Sequence, residues 1–487
     1  MTPVTQGVLW SFEIEGLPDL LYSMQGIPIR VPYIALRLWR DESIMGRHVL
    51  IWIALGGLLG LASSQPVIAI TPLSTAAKTY TQQVEVYNPA GVRENGIFVD
   101  KLLKKTMAEL GKTKPPLAGI FPEGRIEKVR IKKDAFEEVN DLFYKRGWTD
   151  GLPIVPPTKE RVAQMLEGSD LSPDFLITIL DPMGGLATVE KIAVNAVMAG
   201  CRPEYMPILM AAVEAISHPD FNLRGMATTT NPDIPMIIVS GPITKQLDIN
   251  TGTNALGRGW QANATIGRAL NLIINNIGGS WPGVTDMSCL GQPGEFSMML
   301  GENQEANPWE PLHMELGHPK AANVVTVIGA EGTHNILGIG QKPEGYLKLV
   351  ADNLAGMDRA HRSMVLLIIA QDTAGMLSKE GWTREEIREF IMKNALIPFS
   401  KYKERFIDTG MARALGGVPS WVFDTKDPNA MIPVPFIDQF LILVSGGPGE
   451  KSLLIPVWAG SKAISKEIRL PANWEELLGK TRIGGGK

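Results

Sequence analysis

A chain of 487 residues is too long for one ordinary hydrophobic core. Its formal net charge is −4, and its sequence shows no sustained run of basic residues. Its composition, 45% hydrophobic and 20% charged, excludes a largely disordered chain, and the missing basic face excludes nucleic acid as a partner. The two cysteines, Cys201 and Cys289, exclude a disulfide scaffold. Cys289 follows a Gly/Pro-rich loop and is the better candidate for a reactive thiol, although neither a His nor a second Cys adjoins it.

An uncharged apolar run stands near the start of the chain, at residues 49–62 (VLIWIALGGLLGLA). As a helix it rises about 21 Å, which is less than a hydrocarbon core of about 30 Å. This length fits the core of a signal peptide, whereas a run continued to residue 70 would serve as a membrane anchor. More basic residues precede the run than follow it, so we expect the bulk of the protein outside the cytoplasm. A buried helix of a cytoplasmic protein is the alternative.

The distribution of apolar segments divides the chain into four regions. Residues 1–70 are an N-terminal extension, residues 71–145 an irregular arm or linker with helices, residues 146–475 an α/β domain of one or two lobes, and residues 476–487 a flexible tail. In the α/β domain, continuous apolar strands alternate with amphipathic helices, which predicts a layered sheet, mixed or mostly parallel, with covering helices. The predicted strands are LITIL (176–180), PMIIVSG (235–241), NVVTVIGA (323–330), MVLLIIA (364–370) and FLILVSGG (440–447). No internal repeat is evident.

The helix predicted over residues 260–277 carries a row of amide side chains. Asn263, Asn271 and Asn275 share one face with Gly267 at i, i+4 spacing, beside a separate apolar stripe. Amides that face protein must find partners or cost about 1–3 kcal/mol for each unmet group. The row is therefore either a satisfied structural network or the wall of a polar pocket. In the second interpretation Asn254, Arg258 and Asn263 bind the ligand.

The carboxyl ends of the strands are the expected binding edge of an open α/β sheet. His334 lies just past the strand at 323–330, and Glu331 precedes it by three residues. We therefore predict that His334 is a general acid or base and that Glu331 orients it. A structural capping role for His334 is the alternative.

A proline-rich loop, RGWTDGLPIVPPT (146–158), precedes the α/β domain. Its three prolines limit it to extended shapes, so it can be rigid without secondary structure. We predict that Trp148 or Asp150 contributes to the rim of the same pocket. The alternative is a rigid brace that buries Trp148 in the core.

Two segments resemble binding motifs but lack a defining residue. GGPGEKS (446–452) has Glu450 where a nucleotide-binding loop needs glycine, and a carboxylate there would repel a phosphate. Residues 302–318 contain four glutamates and two histidines, but no HExxH or paired-cysteine pattern accompanies them. We predict neither a nucleotide loop nor a metal site, and no cofactor is identifiable.

Several segments in order give the chain a family resemblance. They are RGWTDGLPIVPPT, TVEKIAVNAVMAGCRPEYMP (188–207), GWQANATIGRA (259–269), NPWEPLH (307–313) and EGTHNI (331–336). Together they resemble a bacterial family of unassigned reaction whose members are often encoded beside, or fused behind, a domain with a selenocysteine-Gly-Ser-Cys (UGSC) motif. Such domains are akin to the selenoprotein B subunit of glycine reductase. The resemblance implies redox or carbon–heteroatom cleavage chemistry, with the thiol or selenol supplied by a partner protein because this chain has no Cys-Gly-Ser-Cys.

From these patterns we expect an enzyme, or the substrate-binding subunit of one, that acts on a small polar organic molecule at the carboxyl edge of the sheet. A non-catalytic binding protein, exported or tethered to a membrane, is the alternative. A structural subunit of a membrane complex is a third possibility, supported only by the apolar run. We also expect a homo-oligomer.

Overall fold

The computed structural model describes residues 21–24, 27–30, 83–90, 125–130, 134–357, 362–434 and 436–484. The apolar run at 49–70 and most of the predicted arm lie outside the described residues. The chain divides into two units, residues 1–79 and 80–487. In the first unit, β1 (Leu21–Met24) and β2 (Ile27–Arg30) form an antiparallel hairpin. Within the described ranges, no helix is long and apolar enough to cross a membrane.

The second unit contains the remaining strands and helices. Its strands are β3 (Gln83–Tyr87), β4 (Ile126–Arg130), β5 (Leu176–Leu180), β6 (Gly185–Thr188), β7 (Ile234–Ser240), β8 (Met299–Gly301), β9 (Val324–Ala330), β10 (His334–Leu337), β11 (Arg362–Ile369), β12 (Leu396–Pro398), β13 (Met431–Pro433), β14 (Phe436–Val444), β15 (Lys451–Pro456) and β16 (Ile464–Glu467). Its helices are α1 (Ala135–Lys145), α2 (Lys159–Leu166), α3 (Val189–Ala199), α4 (Met206–Ile216), α5 (Leu223–Met226), α6 (Ile243–Gln246), α7 (Gln261–Ile273), α8 (Leu312–Glu315), α9 (Pro343–Gly356), α10 (Gln371–Lys379), α11 (Arg384–Asn394), α12 (Phe399–Tyr402), α13 (Met411–Leu415), α14 (Ser420–Asp424) and α15 (Trp474–Gly484).

Two four-stranded sheets form the centre of this unit. The first sheet has the order β16–β9–β7–β8 and the second the order β10–β15–β11–β14. Ile238 of the first sheet and Leu366 of the second belong to one buried cluster, so the sheets pack face to face. Successive residues of a strand point to opposite faces, so the next residue of each strand faces away from the other sheet. Ile237 of the first sheet accordingly packs with α3, α4 and α7. Leu367 of the second sheet packs with α9 and α11. The predicted α/β class, a mixed layered sheet with covering helices, is confirmed, and the layers run helix, sheet, sheet, helix.

The two sheets repeat one pairing scheme in the same register. In each sheet a central strand, β7 or β11, has a parallel neighbour on one side and an antiparallel neighbour on the other. The row of paired residues Met299, Ile237, Val327 and Ile464 crosses the first sheet. The matching row across the second sheet is Ile442, Leu367, Leu454 and His334. The fold therefore contains an internal structural duplication.

The two halves exchange their fourth strands. β10 follows β9 in the chain but pairs with β15, and β16 follows β15 but pairs with β9. The crossing point is a bridge between Ala330 and Val457. Two reciprocal hydrogen bonds of 2.9 Å flank it, from the Glu331 amide to the Pro456 carbonyl and from the Trp458 amide to the Gly329 carbonyl. Each four-stranded sheet therefore contains strands from both halves.

Two segments differ from their sequence-based expectation. The strand at 176–180 was expected to be buried, but β5 pairs with β6 in a two-stranded sheet and Ile179 is 62% exposed. The region from 476, expected to be a flexible tail, begins inside α15, where Leu477 and Leu478 are buried in the core beside α3 and α4. An amphipathic helix of this kind gains stability from its buried face more than from its intrinsic propensity.

Candidate functional site

The duplication gives the protein two equivalent positions at the carboxyl ends of its parallel strand pairs, and the first of them is filled. There Glu302, which follows β8, is 1% exposed and accepts three hydrogen bonds. The donors are the Ser240 hydroxyl at 2.6 Å, the Leu312 amide at 2.7 Å and the Asn307 amide group at 3.1 Å. His313 is fully buried beside it, with Nδ1 at 4.0 Å from the carboxylate. The segment that includes α8 thus fills this position, and the Glu302 carboxylate within it has hydrogen-bond donors for both of its oxygens.

The equivalent position in the second sheet is open. A cavity of about 470 Å³ lies at the carboxyl ends of β11 and β14. We call it the strand-end cavity. Its lining comprises Thr253, Asn254, Ala255, Leu256, Gly257, Leu300, Asn335, Ile368, Ala370, Ser445, Gly446, Gly447, Pro448, Gly449, Lys451, Ser452 and Leu453. It occupies the kind of edge at which ligands of α/β sheets were expected to bind.

One wall of the strand-end cavity is the loop at 253–257, and Asn263 of α7 holds this loop in position. Asn263 Oδ1 accepts from the Asn250 amide at 2.8 Å, and Nδ2 donates to the carbonyls of Asn250 and Ala255 at 3.1 and 3.2 Å. Asn263 is 3% exposed and is absent from the cavity lining. Asn263, predicted to contact a ligand, instead positions the backbone of the loop that lines the cavity. Within the loop, Asn254 donates to the Arg258 carbonyl at 3.0 Å and lines the cavity itself.

A second wall, in contact with the first, is the glycine-rich turn at 445–449. A Cβ on Gly447 would lie 2.1 Å from Thr253 Oγ1, so only glycine lets the two walls come this close. The Ser445 hydroxyl donates to the Gly301 carbonyl at 2.8 Å, and the Gly449 amide donates to Asp372 at 2.7 Å. These bonds fix the turn against β8 and α10.

Three side chains in the lining keep their polar groups available. They are the Asn335 side-chain amide, the Lys451 ammonium and the Thr253 hydroxyl, which belong to exposed residues and make no hydrogen bond or ion pair with the described residues. The same holds for the guanidinium of Arg258, but this exposed side chain is not part of the lining. A ligand in the strand-end cavity would therefore meet the side-chain amides of Asn254 and Asn335, the Thr253 hydroxyl and the Lys451 cation.

His334 and Glu331 have partners outside the cavity lining. His334 Nε2 is 2.7 Å from Oδ1 of Asn353 on α9, so the orienting partner that the structure gives His334 is Asn353. Glu331 accepts from Asn231 at 3.3 Å. Because successive residues of β10 point to opposite faces, the residue that reaches the cavity is Asn335, the neighbour of His334. The sequence did not identify Asn335 or Lys451 as residues that line the cavity. For Asn335, the one available signal was that side chains alternate between the two faces of a strand, so that the neighbour of His334 faces the other way.

Trp148 and Asp150 belong to a different part of the molecule. Trp148 is fully buried, with its ring edge-on to Phe143 at 5.0 Å, and its carbonyl accepts from Asn276 at 3.0 Å. Asp150 forms a two-point ion pair with Arg268 of α7, at 2.6 and 2.8 Å. The loop at 146–158 is thus fixed to the amide-bearing helix as a brace, and neither residue lines the strand-end cavity.

Asp150 borders a second cavity, of about 180 Å³, that is lined by Asn271 and Asn275 of the amide row. Asp286 and Glu295 also line it. Burial raises the pKa of both carboxyls, and the Asp286 charge adds to the rise at Glu295. Among the described residues, no group of three or more His, Cys, Asp and Glu side chains is arranged to hold a metal ion.

Replacing Asp150 by Asn is expected to lower the free energy of unfolding by about 1–3 kcal/mol, because the Arg268 charge loses a two-point partner. Both side chains are about 14% exposed (14% and 13%), so solvent screens the pair little. Asp408→Asn is the control, because Asp408 pairs with Lys403 at about half exposure (53% and 51%) and such pairs contribute about 0–1 kcal/mol. Urea denaturation measures both. Equal effects of the two substitutions would show that the Asp150 pair does not brace the loop.

The fold and the cavity define an α/β protein with one open and one filled strand-end position. The chain matches no protein-family model and no curated protein in sequence comparisons. Its function is therefore inferred from the geometry of the site.

Proposed function

We propose that this protein binds a small polar organic molecule in the strand-end cavity and is the substrate-binding subunit of an enzyme. The observation that carries the proposal is the cavity itself, of about 470 Å³, at the position whose equivalent in the other sheet is filled by Glu302 and α8. Small-molecule sites in proteins have volumes of about 300–1,000 Å³ and a few convergent polar groups in a largely apolar lining. The strand-end cavity fits this description.

The lining indicates the chemical class of the ligand. Lys451 offers a cation, and Asn335 offers both donors and an acceptor. Ala255, Leu300, Ile368 and other apolar side chains form much of the rest. We infer a short organic acid or phosphate ester, with its anionic group at Lys451 and an apolar skeleton against the sheet.

The reactive group is proposed to come from a second protein. Of the described residues that line the cavity, Lys451 is the only titratable one, so the lining offers no carboxylate, imidazole or thiol for proton or group transfer. Burial raises the pKa of the Cys201 thiol to about 12, and neither cysteine is part of the lining. The resemblance to a family associated with UGSC-motif proteins supports a thiol or selenol partner and a redox or carbon–heteroatom cleavage reaction.

The alternative function is a binding protein that performs no chemistry. The same absence of acid–base groups from the described lining favours it. Export or membrane attachment through residues 49–70, and assembly into a homo-oligomer, also remain proposals.

A thermal-shift screen of the full chain against short carboxylic acids and phosphate esters tests the proposal. At least one compound is expected to raise the melting temperature, and Lys451→Gln is expected to weaken its binding at least tenfold, because a charged hydrogen bond contributes about 1.5–3 kcal/mol. Lys401→Gln is the control, since Lys401 is exposed on α12 and is not part of the lining. If no compound binds, or if Lys451→Gln binds as tightly as the unchanged protein, the proposed site is wrong. A bound compound that stays intact with the protein and a dithiol reductant would favour the pure binding function.

A further inference from the structure

A serine, a histidine and a glutamate form a hydrogen-bonded row beside β16, outside the lining of the strand-end cavity. Nε2 of His318 is 2.8 Å from the Ser465 hydroxyl, and Nδ1 is 3.4 Å from the Glu467 carboxylate. Ser465 and Glu467 are two residues apart on one strand and so share a face. His318 comes from the turn after α8.

The order of the atoms in this row is that of an activated serine. A carboxylate on Nδ1 favours the tautomer that carries its proton there, which leaves the Nε2 lone pair facing the hydroxyl. Nε2 can then accept the hydroxyl proton as the oxygen attacks a carbonyl carbon. The His318 side chain is 18% exposed and that of Glu467 57%, so a solute can approach the row without an opening of the core.

The position of Ser465 in the duplicated fold supports this inference. Ser465 pairs with Thr326 on β9 as Asn335 pairs with Leu453 on β15, so Ser465 is the counterpart of a residue that lines the strand-end cavity. The Ile468 amide donates to the Asn323 carbonyl at 2.7 Å, and hydrogen-bonded pairs alternate along an antiparallel ladder. The Ser465 amide therefore points away from β9, where it can donate to a developing oxyanion.

We propose that Ser465 is the nucleophile of a second site, which hydrolyses small, accessible esters. The Ser465 oxygen bonds to the acyl carbon, its proton passes to His318 Nε2, and the ester C–O bond breaks as the leaving alkoxide takes that proton. Water then attacks the acyl carbon and gives a proton to His318 Nε2, the bond between the acyl carbon and the Ser465 oxygen breaks, and that oxygen takes the proton back from His318. The products are a carboxylic acid, an alcohol and the free serine. Glu467 holds His318 in the required tautomer and is a positioning residue.

The test is covalent labelling of the full chain with a fluorophosphonate, followed by peptide mass spectrometry. Ser465 is expected to be modified, and His318→Gln is expected to slow the modification at least a hundredfold. Glu467→Gln should slow it about tenfold with an unchanged melting temperature, a result that a merely structural role would not give. Ser400→Ala is the control, because Ser400 is exposed on α12 and no hydrogen bond joins its side chain to a histidine in the described chain. No label on Ser465, or equal labelling in the His318 variant, would overturn the proposal.

A second variant keeps the test decisive if His318→Gln does not fold. Ser465→Cys keeps the side-chain size, and its thiol is expected to react with iodoacetamide at least ten times faster than the exposed Cys289 of the same molecule. The physical reason is that His318 favours the thiolate. A rate equal to or below that of Cys289 would show that His318 does not activate position 465.

Discussion

Replacing Glu302 by alanine is expected to lower the free energy of unfolding by about 3–5 kcal/mol, the larger of the two principal effects predicted for this protein. Alanine would leave the Ser240 hydroxyl, the Leu312 amide and the Asn307 amide group without their acceptor in a region where Glu302 is 1% exposed. Each buried donor left unmet costs about 1–3 kcal/mol. Urea denaturation followed by circular dichroism measures the change.

Glu305→Ala is the matched control for this substitution. Glu305 lies three residues away, is 74% exposed and pairs with Lys245, itself 71% exposed, so its removal should change stability by less than about 1 kcal/mol. A Glu302→Ala protein within 1 kcal/mol of the unchanged protein would contradict the claim that this carboxylate closes the first strand-end position.

Replacing Asn263 by alanine is expected to lower the free energy of unfolding by about 2–4 kcal/mol and to weaken ligand binding in the strand-end cavity. The change removes the side-chain oxygen that accepts from the Asn250 amide, together with two donor bonds that hold the loop at 250–255. This loop continues into the cavity wall at 253–257. Stability is measured by urea denaturation, and affinity by titration of the compound found in the thermal-shift screen.

Asn271→Ala separates the two effects. Asn271 lies two turns further along the same row, donates to the Glu295 carbonyl at 2.8 Å and lines the other cavity. It should reduce stability by about 1 kcal/mol and leave the affinity unchanged. Equal loss of affinity in both variants would mean that Asn263 does not act through the cavity wall.

The local elements of this fold were readable from the sequence because each has a local cause. The helix predicted over 260–277 is present as α7, followed by a π-helical turn at Ile274–Gly278. Helix α11 begins after a capping box formed by Thr383 and Glu386, which lie three residues apart in the sequence. The apolar runs at 235–241, 323–330, 364–370 and 440–447 correspond to the strands β7, β9, β11 and β14 of the two four-stranded sheets. These features depend on residues within a few positions of one another.

The duplication and the strand exchange had no such local cause. β7 reads IPMIIVS and the register-equivalent residues 364–370 read MVLLIIA, so most aligned positions are apolar without being identical. Buried strands require only apolar residues of suitable shape, and many sequences satisfy this. Which strand pairs with which is decided by contacts over more than a hundred residues, such as that between Val327 and Ile464.

The candidate site was predicted in part. The strand-end cavity lies at the carboxyl ends of strands, as predicted, and Asn254 lines it. His334, Arg258 and Asn263 are not in its lining. The row of amide side chains was recognised in the sequence, but its hydrogen-bond partners were not, because they are distant in the chain. Asn275, for example, donates to a carbonyl 128 residues away. The spacing of polar residues shows that they need partners, but only the tertiary structure shows whether those partners are protein or ligand.

A crystal structure of the full chain with the compound found in the screen tests the central claim most directly. We expect the compound to lie at the carboxyl ends of β11 and β14, with its anionic group on Lys451 and a polar group on Asn335. A compound bound instead in the cavity lined by Asp286 and Glu295, with the strand-end cavity holding only solvent, would contradict it.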